Sequence, residues 1–442
     1  MTTLSQLETY TNDLTVAAKA LADRYRDAGV GSTPHLAVPS DASSQVHRAR
    51  RDVLAIVGRL QTLLAEPAEF IQHLASQNQL LACLQWLGEF QVLAYVPLSG
   101  TVPAKDVADL AGVPETQLCR IVRMTATAGF LHEPQPGHIA HTALSAPFVT
   151  KLSYLDAAMF LAETAAPIAL QMAAATQRHG DSNRPNESAY ALAFNTSQTF
   201  QSACEQRTKL QRQWSAYLRC ADTGDSFTEL LSRLDWRSLG NACIVDVGAH
   251  STETATALAE RYPALHFIVQ MSEPALANGA MEVGKAKETS LRITVQERAP
   301  GALQTVRDAA VYILRLPAPS PGVPSHALST RILAELRAHL GLLRANTSVT
   351  LILVPRLLPE PGTVDPDVEA TARLRDLSRL QLANEREMEM EELVAIVNSV
   401  HDSMGWLVVV NKLRSHDSAT VALGVKYQAY ADTHHEAEST IM

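Results

Sequence analysis

The stretch IVDVGAHSTETATALAERYPALHFIVQMSEP, residues 244–274, decides the fold of the C-terminal half of the chain. The short apolar run IVDVG is followed by a turn, by TETATALAERYP with apolar residues at helical spacing, and by a second apolar run, LHFIVQ. Strand, turn, helix and strand in this order are typical of the first unit of a doubly wound α/β sheet. Because such a turn usually cradles a ligand, the side chains at residues 248–252 decide whether this turn does.

Apolar strands and amphipathic helices continue to alternate beyond Ala242. The runs AAVYILRL and VTLILVPRLL predict buried strands, TRILAELRAHLGLL predicts the helix between them, and WLVVVNKL and TVALGVKYQAY predict the last strands. Continuous apolar runs are typical of strands that are covered on both faces. We therefore predict the α/β fold class, with a doubly wound, Rossmann-like sheet over residues 236–430 and a flexible tail over residues 431–442.

The first half of the chain is predicted to be mostly helical. N-terminal helices and a linker account for residues 1–65, and a helical connector for residues 151–235. Between them, residues 66–150 predict a winged-helix domain, with two short helices around the turn AGVP and then GFLHEPQPGHIAHT as strand, turn and strand. The second helix offers only Arg120 and Arg123, and the wing HEPQPGHIAHT carries no Lys or Arg. We therefore expect this domain to serve dimerisation and not to bind nucleic acid directly.

The composition excludes several classes of protein. A chain of 442 residues exceeds one ordinary core, and its apolar fraction of 46% is too high for general disorder. A net charge of −9 does not favour binding to a phosphate backbone. The five cysteines are far apart, without a CxxC pair or a histidine at metal-ligand spacing, so we predict no metal site. Because the chain lacks a run of about 20 apolar residues, we expect neither secretion nor membrane insertion.

The combination of a winged helix and a doubly wound sheet resembles the small-molecule O-methyltransferases that use S-adenosylmethionine. The segments VDVG, ERYPALHFIVQ, DAAVYILRL and LRDLSRLQLAN carry this resemblance, which covers residues 66–430. The resemblance implies a glycine-rich cofactor turn after the first strand, an acid for the ribose hydroxyls after the second strand, and a histidine base after the fourth.

The cofactor turn departs from the pattern of that family. Ala249, His250 and Thr252 stand where the family has glycines, which let backbone N–H groups approach the ligand. After the second strand Met271 replaces the acid, and a thioether cannot accept two hydroxyl hydrogen bonds well. We therefore predict that the chain binds no cofactor and that its turn is a vestigial pocket. This vestigial pocket comprises Asp246, Gly248, Ala249, His250 and Met271.

The catalytic groups of the family are changed as well. The prolines of residues 317–320 occupy the region of the expected histidine, and proline has no titratable group. His326 follows several residues later and is expected to start the next helix. Glu385 and Glu387, near the position of a catalytic acid in the family, are expected to be solvated acids at a helix start. We predict no catalytic residue.

A closer resemblance extends over nearly the full length. The stretches NQLLACLQWLGEFQVLAYVPL, VPAKDVADLAGVPE, PGHIAHTALSAPFVT and DAAVYILRLPAPSP resemble the fungal transcriptional co-activators of the aflatoxin and sterigmatocystin gene clusters. The resemblance implies a non-catalytic protein that assists a zinc-cluster DNA-binding transcription factor in expressing an aromatic polyketide cluster. It also implies action in the nucleus, with a pool in the cytoplasm left open, and we expect a homodimer formed through the N-terminal half.

Two enzymatic alternatives remain open at the level of the residues. One is a true S-adenosylmethionine-dependent O-methyltransferase with an unusual pocket. The other is a methyltransferase-like cyclase of a polyketide pathway, for which His250, Arg315 and His326 are the candidate polar groups.

Overall fold

The computed structural model describes residues 3–27, 44–221, 230–231, 234–272, 292–316, 325–415 and 421–430. The chain divides into two compact units. The N-terminal unit comprises Met1–Thr223 together with Leu380–Asn384, and the C-terminal unit comprises Gly224–Arg379 and Glu385–Met442. The buried apolar side chains form separate clusters in the two units. The predicted tail at 431–442 and most of the predicted linker before Ser44 lie outside the described residues.

The N-terminal unit begins with two long helices, α1 (Thr3–Asp27) and α2 (Ser44–Leu64), which pack along each other. Apolar residues recur every three or four positions of α2, and this spacing places them in one stripe along the helix. Val46 and Ala49, near its start, are buried, whereas no residue of α2 beyond Ala49 is fully buried. A third long helix, α3 (Pro67–Glu89), follows after two residues.

The segment after α3 holds three short helices and a small antiparallel sheet. Gly112 ends the second of these helices, α5, in the left-handed region, at a φ of 67°, which glycine adopts without steric cost. The order helix, turn, helix and hairpin is the predicted one, and the assignment as a winged helix stays a prediction. The three strands are ordered β1-β3-β2. The elements are α4 (Val92–Tyr95), β1 (Val102–Pro103), α5 (Ala104–Ala111), α6 (Glu115–Ala126), β2 (Leu131–Gln135) and β3 (His138–His141).

Short helices make up the rest of the N-terminal unit. A π-helical turn, Leu161–Ala165, lies before Pro167, whose missing N–H interrupts the α-helical hydrogen bonds there. The ring of Phe160 packs on Trp214 at a centroid distance of 5.1 Å, and Phe200 packs on the same indole at 5.3 Å. The helices are α7 (Pro147–Thr150), α8 (Leu152–Phe160), α9 (Ala166–Ala169), α10 (Met172–His179), α11 (Ala189–Ala193), α12 (Phe200–Gln206) and α13 (Thr208–Ala221).

A seven-stranded sheet forms the C-terminal unit, in the order β6-β5-β4-β7-β8-β10-β9. The pairs from β6 to β8 are parallel, and β10 runs antiparallel to both β8 and β9. The strands are β4 (Cys243–Val247), β5 (His266–Met271), β6 (Ile293–Glu297), β7 (Val311–Arg315), β8 (Thr350–Val354), β9 (Gly405–Arg414) and β10 (Val421–Ala429). The helices are α14 (Glu253–Arg261), α15 (Ser325–Ala345), α16 (Pro366–Ala383), of which the residues from Leu380 belong to the N-terminal unit, and α17 (Met390–Asn398).

Apolar clusters cover both faces of this sheet. Successive residues of β4 point to opposite faces, so Val245 joins one cluster and Ile244 joins the other. The predicted α/β fold class is confirmed. One strand, β6, is absent from the predicted set, because its residues ITVQE mix apolar and polar side chains and none of them is fully buried at the sheet edge.

Candidate functional site

The candidate site lies where the strand order of the large sheet reverses. Strands β5 and β6 lie on one side of β4, whereas β7, β8 and the strands after them lie on the other side. In open α/β sheets, ligands bind outside the carboxyl ends of the strands at such a point. The predicted vestigial pocket falls there, because β4 ends at Val247 and β5 ends at Met271.

The turn after β4 is packed tightly against the neighbouring strands. Gly248 has a φ of 75°, and a Cβ atom on it would lie 3.2 Å from the carbonyl oxygen of Arg315. The N–H groups of Gly248 and Ala249 both donate to the carbonyl oxygen of Gln270, at 3.0 and 3.2 Å. Ala249 is buried, and His250 is exposed. The first two backbone donors of the turn are therefore used within the protein.

An ion pair occupies the carboxyl end of β4. The guanidinium of Arg315, at the end of β7, donates from Nε and Nη2 to the two carboxylate oxygens of Asp246, at 2.9 and 2.8 Å. Nη2 also donates to the hydroxyl oxygen of Thr254 on α14, at 2.9 Å. Asp246 is only 1% exposed. Such bidentate, charge-assisted bonds are among the strongest polar contacts in proteins, so Asp246 is held by the protein itself.

The residue in the place of the ribose-binding acid is part of the core. Met271 is buried in the same apolar cluster as Ile244 and Ala249. Its neighbour Gln270 exchanges side-chain hydrogen bonds with Gln304, at 2.8 and 3.0 Å. The end of β5 therefore presents a buried thioether and the amide of Gln270, which is already hydrogen-bonded to Gln304.

A buried polar network continues from Gln304. Its amide nitrogen lies 3.4 Å from Nε2 of His339, and Nδ1 of His339 lies 2.7 Å from the carbonyl oxygen of Glu335. The carboxylate of Glu335 pairs with Arg298 at 3.0 Å and accepts the N–H of Gly301 at 2.6 Å. Burial lowers the pKa of His339, because the charged imidazolium would lose its hydration.

The region of the expected catalytic histidine is only partly described. Residues 317–320 lie outside the described residues. Helix α15 begins at Ser325, so His326 lies in its first turn, as predicted. The structure does not describe the side chain of His326.

The prediction that Glu385 and Glu387 are solvated acids is wrong. Both are buried, the second with only 3% exposure. Glu385 pairs with Arg379 at 2.7 Å, and Glu387 lies 3.5 Å from Nε of Arg375. The N–H of Glu387 also donates to the carboxylate of Asp376, at 2.8 Å. The two arginines lie on α16, and the two glutamates follow this helix in the chain. Because each carboxylate has an arginine beside it, both can be buried.

Sequence reasoning missed the main polar contacts of the site. The sequence suggests Arg315 only as a cyclase residue, whereas the structure pairs it with Asp246, which lies 69 positions earlier. The contribution of Thr254 was not predicted either. The available signal was the arginine in YILRLP, because a cation at the end of a buried strand needs a buried anion nearby.

The described residues show neither a cluster of metal ligands nor a single membrane-spanning helix. Within the residues that the structure describes, no three His, Cys, Asp or Glu side chains are grouped so that they could hold a metal ion. No single helix among the described residues is long and apolar enough to cross a membrane. The bent pair Leu152–Ala169 and Met172–His179 reaches that length and composition only when taken together.

Solved structures identify the class of the fold. OxaC aligns over 97% of this chain and 100% of its own length, with a TM-score of 0.59 and 16% identity. LepI in complex with SAM aligns over 94% of this chain and 100% of its own, with a TM-score of 0.63 and 15% identity. The mitomycin 7-O-methyltransferase MmcR aligns over 82% and 98%, with a TM-score of 0.56 and 17% identity. The chain therefore has the fold of the S-adenosylmethionine-dependent O-methyltransferases.

Sequence relatives narrow this class to one family. The monodictyphenone cluster transcriptional coactivator mdpA of Emericella nidulans is 51% identical over 97% of this chain and 99% of its own length. The trypacidin cluster transcriptional coactivator tpcD of Aspergillus fumigatus is 49% identical over 99% of this chain and 100% of its own. Residues 4–65 match the family of the tpcD N-terminal domain. The chain belongs to this family of fungal cluster transcriptional coactivators.

Proposed function

We propose that this chain is a non-catalytic transcriptional co-activator of a fungal secondary-metabolite gene cluster. It acts in the nucleus by assisting a zinc-cluster DNA-binding transcription factor, and the product of the cluster is an aromatic polyketide. Family membership supports co-activation, since relatives that match nearly the whole chain are named cluster transcriptional coactivators.

One observation supports the non-catalytic part of the proposal: the described polar side chains at the carboxyl ends of β4, β5 and β7 are already paired within the protein. Arg315 joins Asp246 and Thr254 at the switch point of the sheet. Moving Arg315 aside would leave the carboxylate of Asp246 buried without its cation, at a cost of roughly 3 kcal/mol. Met271 is buried in the core, and its thioether is a poor acceptor for two ribose hydroxyls. The residues present do not fit S-adenosylmethionine, and we derive no methyl transfer from them.

The cations of α6 argue against DNA recognition by the small domain of the N-terminal unit. Arg123, one of two arginines on α6, donates from Nε and Nη2 to the carboxylate of Glu133 on β2, at 2.7 and 3.0 Å. This pairing uses half of the cationic side chains that the helix could offer to a phosphate backbone. A specific DNA reader usually carries several free Lys and Arg side chains. We therefore assign promoter recognition to the partner.

Transcript measurement tests the co-activator proposal. In a strain that lacks the gene, all transcripts of the cluster should fall together, and re-expression of the wild-type chain should restore them. The matched control is re-expression of an Asp246→Asn/Arg315→Met variant, which removes both charges of the crevice and should restore the transcripts equally. Unchanged transcripts with one blocked biosynthetic step would instead identify an enzyme.

Direct binding measurements test the remaining parts. Calorimetry should detect no binding heat with S-adenosylmethionine at concentrations up to about 1 mM. This result would exclude a binding free energy more favourable than about −4 kcal/mol. The purified chain should not shift promoter DNA by itself and should change the shift caused by the zinc-cluster factor. Micromolar binding of the cofactor would contradict the non-catalytic assignment.

The cyclase alternative is weakened by the same ion pair. Its candidate groups were His250, Arg315 and His326. The Arg315 guanidinium is bound to Asp246 and Thr254, so it does not point a free cation at a substrate. Accumulation of one uncyclised intermediate in the deletion strain, with normal transcripts, would revive this alternative.

A further inference from the structure

A groove runs between α10 and the last turn of α16. Its volume, including the open mouth, is about 420 Å³, which lies within the range of small-molecule sites. All of the residues that line it belong to the N-terminal unit, which includes Leu380–Asn384 at the end of α16. On α10 the lining positions share one face of the helix, because they are three or four residues apart. The groove is therefore a concave surface of one compact unit, distinct from the crevice of the large sheet.

Two contacts define the ends of the groove. The amide nitrogen of Gln381 lies 3.2 Å from Sδ of Met172, where α10 begins. Further along α16, Nδ2 of Asn384 donates to the carbonyl oxygen of Arg184, at 2.9 Å. The groove therefore runs from the start of α10 to the segment 180–187, which follows this helix. Its length is about 10 Å, since α10 has 8 residues.

The two ends of the groove differ in polarity. Met172, Ala175 and Leu380 line the part nearer the start of α10, and we call this part the apolar end. A ligand with a short apolar stem and a polar head fits such a division. The other part, the polar end, is lined by His179, Asp181, Ser182, Glu187 and Asn384.

The polar end offers oxygen acceptors and negative charge. Because Nδ2 of Asn384 donates to a carbonyl, the orientation of this amide is fixed, and Oδ1 is left as an acceptor. The carboxylate of Glu187 already accepts from Ser182 at 2.5 Å and from Arg184 at 3.2 Å. The side chain of Asp181 is exposed, and no described residue makes an ion pair with it. Asp181 therefore supplies the charge of the polar end that remains open to a ligand.

We propose that this groove binds an aliphatic primary ammonium, with an alkyl stem of about four or five methylene groups like that of lysine. An ammonium has N–H donors and no acceptor, so it matches the oxygens of Asp181 and Asn384. The stem packs along the apolar end. A bare metal ion fits less well, since the described part of the chain groups no three side chains that could hold one. The site goes beyond the co-activator role and can fail while that role stands.

Methyl NMR of the full chain tests the site. In a chain with isotope-labelled methionine methyl groups, Met172 reports from the apolar end, and Met172→Leu assigns its signal. At about pH 8 histidine is neutral and an alkyl amine is charged. Pentylamine should then shift this signal saturably, with a dissociation constant of about 1 mM, because the ligand has only about six non-hydrogen atoms. Pentanol, which has the same stem without the charge, should bind at least about 10-fold more weakly.

Matched variants test each end of the groove. Asp181→Asn should weaken pentylamine binding about three- to five-fold, whereas Asp109→Asn, the same change at an exposed acid on α5, should not alter it. Ala175→Leu fills the apolar end and should weaken binding at least about 10-fold. Its control, Ala173→Leu, adds the same side chain at an exposed position of α10 outside the groove. Because Asp181 is exposed, its variant should melt like the wild type.

A second ligand separates the two sources of this chemistry, a free alkyl amine and the side chain of a lysine on another protein. Nα-acetyl-lysine methylamide should bind in the same groove, and its charge-free form, acetylated on the side-chain amine, should not. Binding at least about 10-fold tighter than that of pentylamine would identify a protein lysine as the ligand, and weaker binding a free amine.

Three results would overturn the inference. They are the absence of a saturable shift up to about 20 mM pentylamine, an equal response to pentanol, and unchanged binding in Asp181→Asn. Cluster transcripts in the deletion strain report on co-activation alone, so failure of this site is distinguishable from failure of the proposed function.

Discussion

Removal of the Arg315 guanidinium should destabilise the C-terminal unit strongly. In Arg315→Ala, Asp246, which is 1% exposed in the wild-type protein, loses two charge-assisted hydrogen bonds, and Thr254 loses the bond from Arg315. Breaking a fully buried pair typically costs 3–5 kcal/mol. Because the side chain of Arg315 is 23% exposed and water replaces part of the contact, we expect the free energy of unfolding to fall by about 2–4 kcal/mol.

A double-mutant cycle separates this pair from simple loss of packing. Asp246→Asn/Arg315→Met removes both charges and keeps much of the side-chain volume, so the loss should be only about 1 kcal/mol. The cycle also requires the single variants Asp246→Asn and Arg315→Met, and the sum of their losses should exceed the loss of the double variant by about 2 kcal/mol, which is the coupling between the two positions. Unfolding in urea is measured by hydrogen exchange in peptides from β4 and β7. Because both strands belong to the C-terminal unit, the measurement reports the stability of that unit. A double variant as unstable as Arg315→Ala would refute the reasoning, because no buried charge would then have been responsible.

Three further perturbations test the geometry of the C-terminal unit. Gly248→Ala should lower the free energy of unfolding, measured by urea titration, by about 1–2 kcal/mol, because its φ is 75° and the new Cβ would meet the Arg315 carbonyl. The control is Gly341→Ala inside α15, where a Cβ would meet nothing within 4 Å, and this change should be neutral or stabilising. Glu385→Ala should cost roughly 3 kcal/mol by leaving Arg379 buried without its anion, and a loss below about 0.5 kcal/mol would contradict the pairing. Because the pKa of His339 is lowered in the folded protein, this histidine takes up a proton in the unfolded chain at a higher pH, near 6.5, than in the folded chain. Stability should therefore decline from pH 7 to pH 5, and His339→Gln should reduce that slope in urea unfolding at stepped pH values.

The strands of the large sheet could be predicted because their apolar runs are local signals. Strand β4 is a continuous apolar run broken only by Asp246, and it forms where expected. Edge strand β6 escaped prediction, since its residues ITVQE mix apolar and polar side chains and none of them is fully buried. The departure of the cofactor turn from a glycine-rich pattern was also visible in the residues 249–252 themselves.

The sequence by itself determined the alternation of strands and helices, and so the fold class, because the periodicity of apolar residues depends only on neighbouring positions. It also determined which side chains stand in the turn after β4, where the methyltransferases have glycines. Only the tertiary structure decided which charges meet. Asp246 and Arg315 are brought together because parallel strands β4 and β7 are neighbours in the sheet, and Glu385 is buried because Arg379 faces it. Pairing between distant positions is set by packing and desolvation, which no local pattern records.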